Sequence, residues 1–218
     1  QMNVSEAVAA RTSIRRFTDQ AVDDNLVKEL LEKSARAPSG GNLQPWRIFV
    51  ITTGTMPSFL EHLQQAEFQK EPEYPIYPAD LKSPYRDSRF KVGEDMYELL
   101  GIPREDKPAR LGNLAKNFEF FAAPVGFFCF VDRCMGPPQW SDLGMFLQTF
   151  MLLAQEAGLS TCPQEAWAAR SNAVKSFIQP ANDLMLFCGM AVGYRDESEA
   201  VNSLYSDREP LDVWARFL

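Results

Sequence analysis

Residues 124–132 read PVGFFCFVD, and residues 183–194 read DLMLFCGMAVGY. Both runs are short, almost uncharged and rich in β-branched and aromatic side chains, a pattern typical of strands that are buried in a sheet. A third run, WRIFVITTG at residues 46–54, ends at a glycine and predicts a strand that is buried mainly on both faces. The sequence therefore predicts three buried strands at the centre of the fold.

The segments outside these strands carry helical signals. Asp23 or Asp24 can cap a helix whose apolar residues repeat at helical spacing and that ends near Pro38. Residues 139–157 are apolar almost all round and are followed by Gly158, which predicts a central, buried helix. Helices interleaved with buried strands indicate an α/β or α+β sheet that is sandwiched by helices.

Two longer segments lie outside this pattern. Residues 56–121 contain two predicted helices, around 57–68 and 86–100, on either side of a Pro- and Tyr-rich piece, and we expect them to cover a pocket or a partner. Residues 195–218 lack periodicity but end in the apolar DVWARFL, so this tail is expected to wrap another part of the molecule. No repeat or linker divides the chain, which predicts a single domain over residues 1–218.

Composition excludes several classes of protein. The chain has 218 residues, of which 45% are apolar and 12% aromatic, too much packing material for a disordered segment. Its 22 basic and 29 acidic side chains give a net charge of −7, so no broad positive surface would gather nucleic acid or anionic lipid. The longest apolar stretches, 122–131 and 184–194, fall short of the roughly 20 residues that a membrane-spanning helix needs. We expect neither nucleic acid nor membrane as a partner.

The cysteines and the one histidine argue against a metal site. Only His62 could join the four cysteines, which lie far apart along the chain, at Cys129, Cys134, Cys162 and Cys188. The first and last of these stand in apolar runs, which is typical of buried thiols in a reducing compartment. The first residues show no basic region followed by an apolar core, so we expect no signal peptide and a cytoplasmic location.

One segment could bind a phosphate. Neither G-x-G-x-x-G nor G-x-x-x-x-G-K-[ST] occurs, so the usual glycine-rich phosphate loops are absent. In RTSIRR, at residues 11–16, Arg11 and Arg15 are four residues apart. Two hydroxyl side chains, Thr12 and Ser13, lie between them. Placed one helical turn apart, the two guanidiniums suit bidentate capture of a phosphate dianion. The alternative is that they are solvated charges that pair with nearby carboxylates.

Two further segments could contact a ligand. APSGGNLQPW, at residues 37–46, groups the polar side chains of Ser39, Asn42 and Gln44 around two glycines. Such a loop can wrap a polar heterocycle, or it can be an ordinary turn between a helix and a strand. CPQEAW, at residues 162–167, contains a proline that fixes φ and can present the following backbone groups to a cleft.

Together the three segments resemble the nitroreductase family. The pattern R-x-S-x-R-x-F begins at Arg11, P-S-x-x-N-x-Q-P-W begins at Pro38, and P-x-E begins at Pro163. The resemblance extends to the closing GYRDESEAVNSLYSDREPLD at residues 193–212 and is weakest over residues 56–121. It implies an α+β, nitroreductase-like fold with a central mixed or antiparallel sheet between helices, and an interlocked homodimer.

The resemblance also implies a cofactor and its contacts. Non-covalent FMN would lie at the subunit interface, with NAD(P)H as the electron donor. The phosphate and the polar edge of the flavin would be held by one group of residues: Arg11, Thr12, Ser13, Arg15 and Arg208. The partner subunit would supply a second group: Pro38, Ser39, Gly40 and Asn42. Gln44 would contact the flavin or hold that loop. A third group would lie along the isoalloxazine: Pro163, Gln164 and Glu165. A backbone N–H near Glu165 would be directed at flavin N5, so the resemblance implies no side-chain acid or base.

Two positions depart from the family pattern. Ser206 stands where many members carry a lysine two residues before the tail arginine, and Ala166 stands where a glycine often follows the glutamate. We therefore expect weaker phosphate binding than is typical. Substrate contacts within residues 56–121 carry over least well, and the candidates there are Tyr85, Arg89, Asn113 and Asn117.

The leading functional hypothesis is an oxidoreductase that passes hydride from NAD(P)H through flavin N5 to a nitroaromatic or quinone acceptor. Ping-pong order is expected because both substrates would occupy the same pocket over the flavin. A second hypothesis is reductive dehalogenation of a halogenated phenol, since relatives with that activity resemble the P-S-G loop and the closing E-P-L-D. A third is a flavin-binding or flavin-fragmenting protein without reductase turnover, or a dimeric scaffold whose basic cluster is solvated.

Overall fold

The computed structural model describes all 218 residues, which form eight α-helices and four β-strands. The elements in chain order are α1 (Val4–Ala10), α2 (Asp24–Ser34), β1 (Arg47–Ile51), α3 (Met56–Gln65), α4 (Tyr85–Leu100), α5 (Lys107–Ala115), β2 (Val125–Asp132), α6 (Pro137–Glu156), β3 (Ser160–Gln164), α7 (Ser171–Ile178), β4 (Leu184–Gly193) and α8 (Leu211–Trp214). Short 3₁₀ helices cover Gly40–Asn42, Lys116–Ala122, Glu165–Arg170 and Ala200–Ser203.

The four strands form one sheet in the order β1-β2-β4-β3, and every neighbouring pair is antiparallel. The three predicted strands are present, but the sheet has a fourth, β3, that the sequence analysis did not predict. Its five residues include Pro163, which lacks an N–H for the ladder and is tolerated because β3 lies at an edge of the sheet. The opposite edge strand, β1, is only partly buried, so the prediction of burial on both faces is wrong for that strand.

The central strand β2 explains why helices cover both faces of the sheet. Successive side chains of a strand point to opposite faces. Phe127 and Cys129 accordingly pack in one apolar cluster with α2 and α6, whereas Phe128 and Phe130 pack in a second with α3 and α7. Because both faces are apolar, each needs a helical layer, and the predicted helix-sheet-helix sandwich is confirmed.

The predicted helices are all present. The Asp23 side chain caps α2 by accepting from the Asn25 amide at 2.7 Å, and α3 and α4 lie where two helices were predicted in residues 56–121. Helix α5 was not predicted, because its nine residues include a proline and a glycine and are too few to show a clear period.

Helix α6 lies where the central helix was predicted, but it is not buried all round. Leu143, Phe146 and Phe150 pack on the sheet, and the Phe146 ring stacks on Trp46 with centroids 4.8 Å apart. Trp140 and Met145 are 41% and 38% exposed. An apolar face of this helix is therefore uncovered in the single chain.

The tail lies partly on its own chain. The Tyr205 hydroxyl donates to the Ala9 carbonyl at 3.2 Å, and Asp207 pairs with Lys91 of α4 at 2.9 Å. Beyond α8 the chain is uncovered, and Phe217 is 90% exposed. No helix in the structure combines the length and the apolar character needed to cross a membrane.

Candidate cofactor site

The RTSIRR segment is extended rather than helical. Helix α1 ends at Ala10, Ser13 forms a parallel bridge with Thr161 of β3, and the Ile14 amide donates to the Thr161 carbonyl at 3.0 Å. The predicted helical spacing of the two arginines is therefore wrong. The two arginine side chains still point to the same side, because residues four apart share a face in an extended chain as well as in a helix. Arg11 and Arg15 line one cavity while Ile14 is buried in the core.

That cavity has a volume of about 430 Å³ and brings Arg208 of the tail together with Arg11 and Arg15. Its lining residues are Val8, Ala9, Arg11, Thr12, Ser13, Arg15, Val92, Gln148, Leu204, Tyr205, Ser206 and Arg208. None of them is acidic, and none of the three arginines forms an ion pair with a carboxylate. Three guanidiniums without a protein anion, beside the Thr12 and Ser13 hydroxyls, have the donor set of a phosphate site.

Contacts within the tail hold Arg208 at this cavity. Its Nη1 donates to the Ser206 hydroxyl at 2.7 Å and to the Ser206 carbonyl at 3.0 Å. The next residue, Asp207, pairs with Lys91, whose pKa is raised by hydrogen bonds to Asp95 and Asp207. Ser206, which stands where a lysine occurs in many family members, therefore orients the remaining cation instead of adding another.

The P-x-E segment lies at the end of β3, next to the arginine segment. Pro163 and Glu165 are exposed, while Gln164 between them is buried. The Gln164 Nε2 donates to the Asn117 carbonyl at 2.7 Å, and its Oε1 accepts from Trp167 Nε1 at 3.1 Å. Gln164 can therefore meet a ligand only through its backbone, because its side chain is bound inside the protein. Glu165 is the first residue of a 3₁₀ helix, a position whose amide has no partner within the helix.

Tyr77 and Arg89 gather beside Glu165. Burial raises the pKa of Tyr77, and the charge and a hydrogen bond of Glu165 raise it further, while Arg89 opposes the shift. The Arg89 guanidinium lies 3.7 Å from the centroid of the Tyr77 ring and forms no ion pair. Sequence analysis missed Tyr77, because nothing in its local sequence distinguishes it from the other tyrosines of that segment.

The remaining candidates from residues 56–121 do not lie together in one site. Asn117 holds Gln164 through its carbonyl and, at 3.3 Å, through its side-chain oxygen. Tyr85 begins α4 and is exposed, and Asn113 lies on α5. Neither of these two lines the arginine cavity.

The PSGGNLQ loop is not part of the arginine cavity in its own chain. The Gly40 amide donates to Asp142 of α6 at 3.3 Å, and the Gln44 amide donates to the Ser39 hydroxyl at 3.0 Å. The Gln44 side chain donates to the Asn42 carbonyl at 3.0 Å, so it holds the loop. None of the loop residues proposed as cofactor contacts, Pro38, Ser39, Gly40, Asn42 and Gln44, lines that cavity.

The similarity to known proteins extends over nearly the whole chain. Residues 8–194 match the family described as "Nitroreductase family". The chain is 36% identical over 213 residues to a 4-nitrobenzoate reductase of Pseudomonas putida, covering 97% of this chain and 93% of that protein. It is 32% identical over 219 residues to a nitrobenzene nitroreductase of Ectopseudomonas oleovorans, covering 99% and 96%.

A solved structure shows the same fold. The crystal structure of the FMN and NADPH-dependent nitroreductase NfnB from Sphigopyxis sp. strain HMH superposes with a TM-score of 0.94 at 42% identity, covering 100% of this chain and 99% of that one. The α+β, nitroreductase-like fold with its antiparallel sheet is confirmed.

Proposed function

This chain belongs to the nitroreductase family, and from that premise we propose that it passes hydride from NAD(P)H through bound FMN to a nitroaromatic or quinone acceptor, in ping-pong order. It is an NAD(P)H-dependent, FMN-containing oxidoreductase of the nitroreductase type. The observation that carries the proposal is the cavity in which three arginines converge without any carboxylate. Three guanidiniums that converge without a counter-ion, two of them half-buried, favour a bound anion, and the terminal phosphate of FMN supplies one.

The binding roles follow from the lining of that cavity. Arg11, Arg15 and Arg208 hold the phosphate, and the Thr12 and Ser13 hydroxyls add neutral donors beside it. When bound, FMN supplies the hydride chemistry at its N5. The backbone bond between Ile14 and Thr161 ties the phosphate side of the site to β3 and the P-x-E segment.

The P-x-E segment orients the reactive ring. Pro163 and Glu165 are exposed at the end of β3, and the Glu165 amide is free of the helix that it begins. A backbone N–H directed at N5 stabilises negative charge there without a titrating side chain. The buried Gln164 side chain holds this segment in place through hydrogen bonds to Asn117 and Trp167.

A second subunit completes the site. The PSGGNLQ loop is mostly exposed, lies outside the arginine cavity of its own chain and is hydrogen-bonded to Asp142 of α6, two residues from the exposed Trp140. We infer a homodimer in which Ser39, Gly40 and Asn42 of one subunit contact the flavin of the other. A cytoplasmic location remains a prediction.

Ping-pong order follows from a shared pocket. The nicotinamide and the acceptor would both lie over the exposed Pro163–Glu165 edge, so the first must leave before the second enters. Arg89, beside Tyr77, offers a cation without an ion-pair partner near this edge. A nitroaromatic that carries a carboxylate, such as 4-nitrobenzoate, would pair with it.

The test begins with the cofactor. Apoprotein reconstituted with an equimolar mixture of FMN and FAD and then treated with acid should release FMN and not FAD, because three arginines and two hydroxyls suit a terminal phosphate monoester, which FAD lacks. Reduction by NADPH alone should bleach the flavin, and initial rates at several 4-nitrobenzoate concentrations should give parallel reciprocal lines. Recovery of FAD or of no flavin would refute the proposal. Intersecting lines would replace ping-pong order with a ternary complex.

The same protein distinguishes the two other hypotheses. Turnover of an iodo- or bromophenol, with none of a nitroarene, would favour reductive dehalogenation. Tight FMN binding without oxidation of NADPH or NADH would favour a non-catalytic flavin protein.

A further inference from the structure

A second cavity lies away from the arginine site. It has a volume of about 700 Å³, lies between α3 and the 3₁₀ helix at Lys116–Ala122, and shares no lining residue with the arginine cavity. Its walls are mainly apolar side chains, which include Met56, Leu60, Leu63, Phe68 and Phe118. A cavity of this size and character accommodates a small aromatic molecule.

One cation lies buried in the wall of this second cavity. Arg170 is 6% exposed and its Nη2 donates to the Leu63 carbonyl at 2.9 Å, but its Nε is buried without any hydrogen-bond partner. No carboxylate forms an ion pair with Arg170. The guanidinium lies 4.3 Å from the centroid of the Phe68 ring, a contact that offsets only part of the cost of burying a charge.

A second polar group in the same cavity is also unpaired. The Thr53 hydroxyl oxygen is buried and has no hydrogen-bond partner. The two acidic residues of the cavity, Asp19 and Glu119, are exposed at its rim and pair with neither group. A buried guanidinium that has no counter-ion and one unpaired N–H, next to an unpaired hydroxyl in a mainly apolar cavity, favours an apolar ligand that carries an anion.

We propose that this cavity binds a small aromatic carboxylate, whose carboxylate pairs with Arg170 and whose ring packs among Leu60, Phe68 and Phe118. The site is separate from the flavin and does not depend on the proposed redox function.

The test uses FMN-saturated protein and isothermal titration calorimetry. The probes are 2-naphthoate and its neutral analogue 2-naphthamide, which differ in the charge that Arg170 would recognise. Naphthoate should bind at least about tenfold more tightly, as expected for a charge-assisted hydrogen bond. The R170M variant should lose this preference, and R36M, at an exposed arginine on the surface, should keep it.

A second variant guards against a folding defect in R170M. L60W keeps Arg170 and fills the cavity from α3, so it should weaken naphthoate binding at least about tenfold while flavin content stays unchanged. Equal binding of the two probes, or a preference that survives both variants, would overturn the proposal.

Discussion

The position of Arg15 suits it to bind an anion. Its amide donates to Asn202 at 2.9 Å, which fixes the backbone, while its guanidinium lines a cavity without a carboxylate. Arg15→Ala should therefore weaken FMN binding by about 2 kcal/mol, or roughly thirtyfold, because a phosphate oxygen loses a charged donor. Titration of the apoprotein with FMN, followed by flavin fluorescence, measures this loss. The control is Arg36→Ala, at an exposed arginine away from the cavity. If Arg15→Ala changed the Kd for FMN by less than threefold, Arg15 would be excluded from the phosphate site.

Glu165 distinguishes a backbone role from a side-chain role. If its amide is the group that faces N5, Glu165→Gln keeps that donor, and the rate of flavin reduction by NADPH should stay within about tenfold of the native rate. Stopped-flow absorbance of the flavin measures this half-reaction without an acceptor. A thousandfold loss in a variant that retains its flavin would identify the carboxyl group as a catalytic acid.

Arg89 should select among nitroaromatics. It stacks on Tyr77 beside Glu165 and has no ion-pair partner, so a substrate carboxylate can reach it. Arg89→Leu should raise the KM for 4-nitrobenzoate about fivefold, as expected for one exposed ion pair, and leave nitrobenzene nearly unchanged. Arg86→Leu, on the same exposed helix, is the matched control. An equal effect of Arg89→Leu on both substrates would mean that the residue does not read the carboxylate.

At the scale of elements, Glu73 holds the segment between α3 and α4 against α7 and the residue that follows β2. The Glu73 side chain is almost fully buried and pairs with Arg133 at 2.7 Å and with Lys175 of α7 at 3.4 Å. Burial pushes the pKa of Glu73 upward, but a hydrogen bond from Ser171 and the two cations outweigh that effect, and the net pKa is lowered. The ionised form is therefore favoured in the folded protein.

This lowered pKa gives a pH-dependent prediction. A carboxyl group whose folded pKa lies below the ordinary value of 4.5 stabilises the fold above that pH, and the stabilisation is lost as the pH falls through the folded pKa. Glu73→Gln should reduce the free energy of unfolding by about 1 kcal/mol at pH 7 and by much less well below pH 4.5. Urea denaturation at the two pH values measures the difference. The control is Glu61→Gln, at an exposed position of α3, and a loss that is independent of pH would contradict the ionised role of Glu73.

The elements also show what local sequence could and could not reveal. Strands β2 and β4 were predictable because each consists of a long apolar run, which is typical of a buried strand. The start of α2 was predictable from its capping residue, Asp23. Strand β3 was not, because five residues with a proline carry no period, and they become a strand only by pairing with β4. For the arginine segment, the sequence predicted the phosphate-binding side chains but a helical conformation. The segment is extended because Ser13 pairs with Thr161, a contact that local sequence does not reveal. Tyr77 joins the site only through tertiary contacts.

At the scale of the whole molecule, the uncovered surface is consistent with the proposed homodimer. Trp140 and Met145 are exposed on the outer face of α6, and Trp214 and Phe217 are exposed in the tail. The PSGGNLQ loop contacts α6 at Asp142, and its Asn42 is exposed. Packing two copies through this region would bury the apolar face and bring each loop to the other subunit, as a two-fold axis requires.

Subunit complementation tests whether the loop acts across that interface. One chain carries Arg15→Ala and the other carries Ser39→Ala with Asn42→Ala, so each homodimer is defective at both flavin sites. If the loop serves the partner's flavin, a heterodimer combines both defects in one site and leaves the other site intact. Heterodimers purified through two different affinity tags should then bind about one FMN tightly, with native affinity, for every two chains.

If the loop served its own chain, every site in the heterodimer would carry one defect and no native site would reappear. The two outcomes differ in stoichiometry and not only in rate, so a general loss of stability cannot imitate the first. Sedimentation of the native protein at micromolar concentration provides the companion measurement, because a monomer that keeps its full FMN content would exclude a shared site. Recovery of one native site per heterodimer therefore requires both the dimer and the crossing of the loop between subunits.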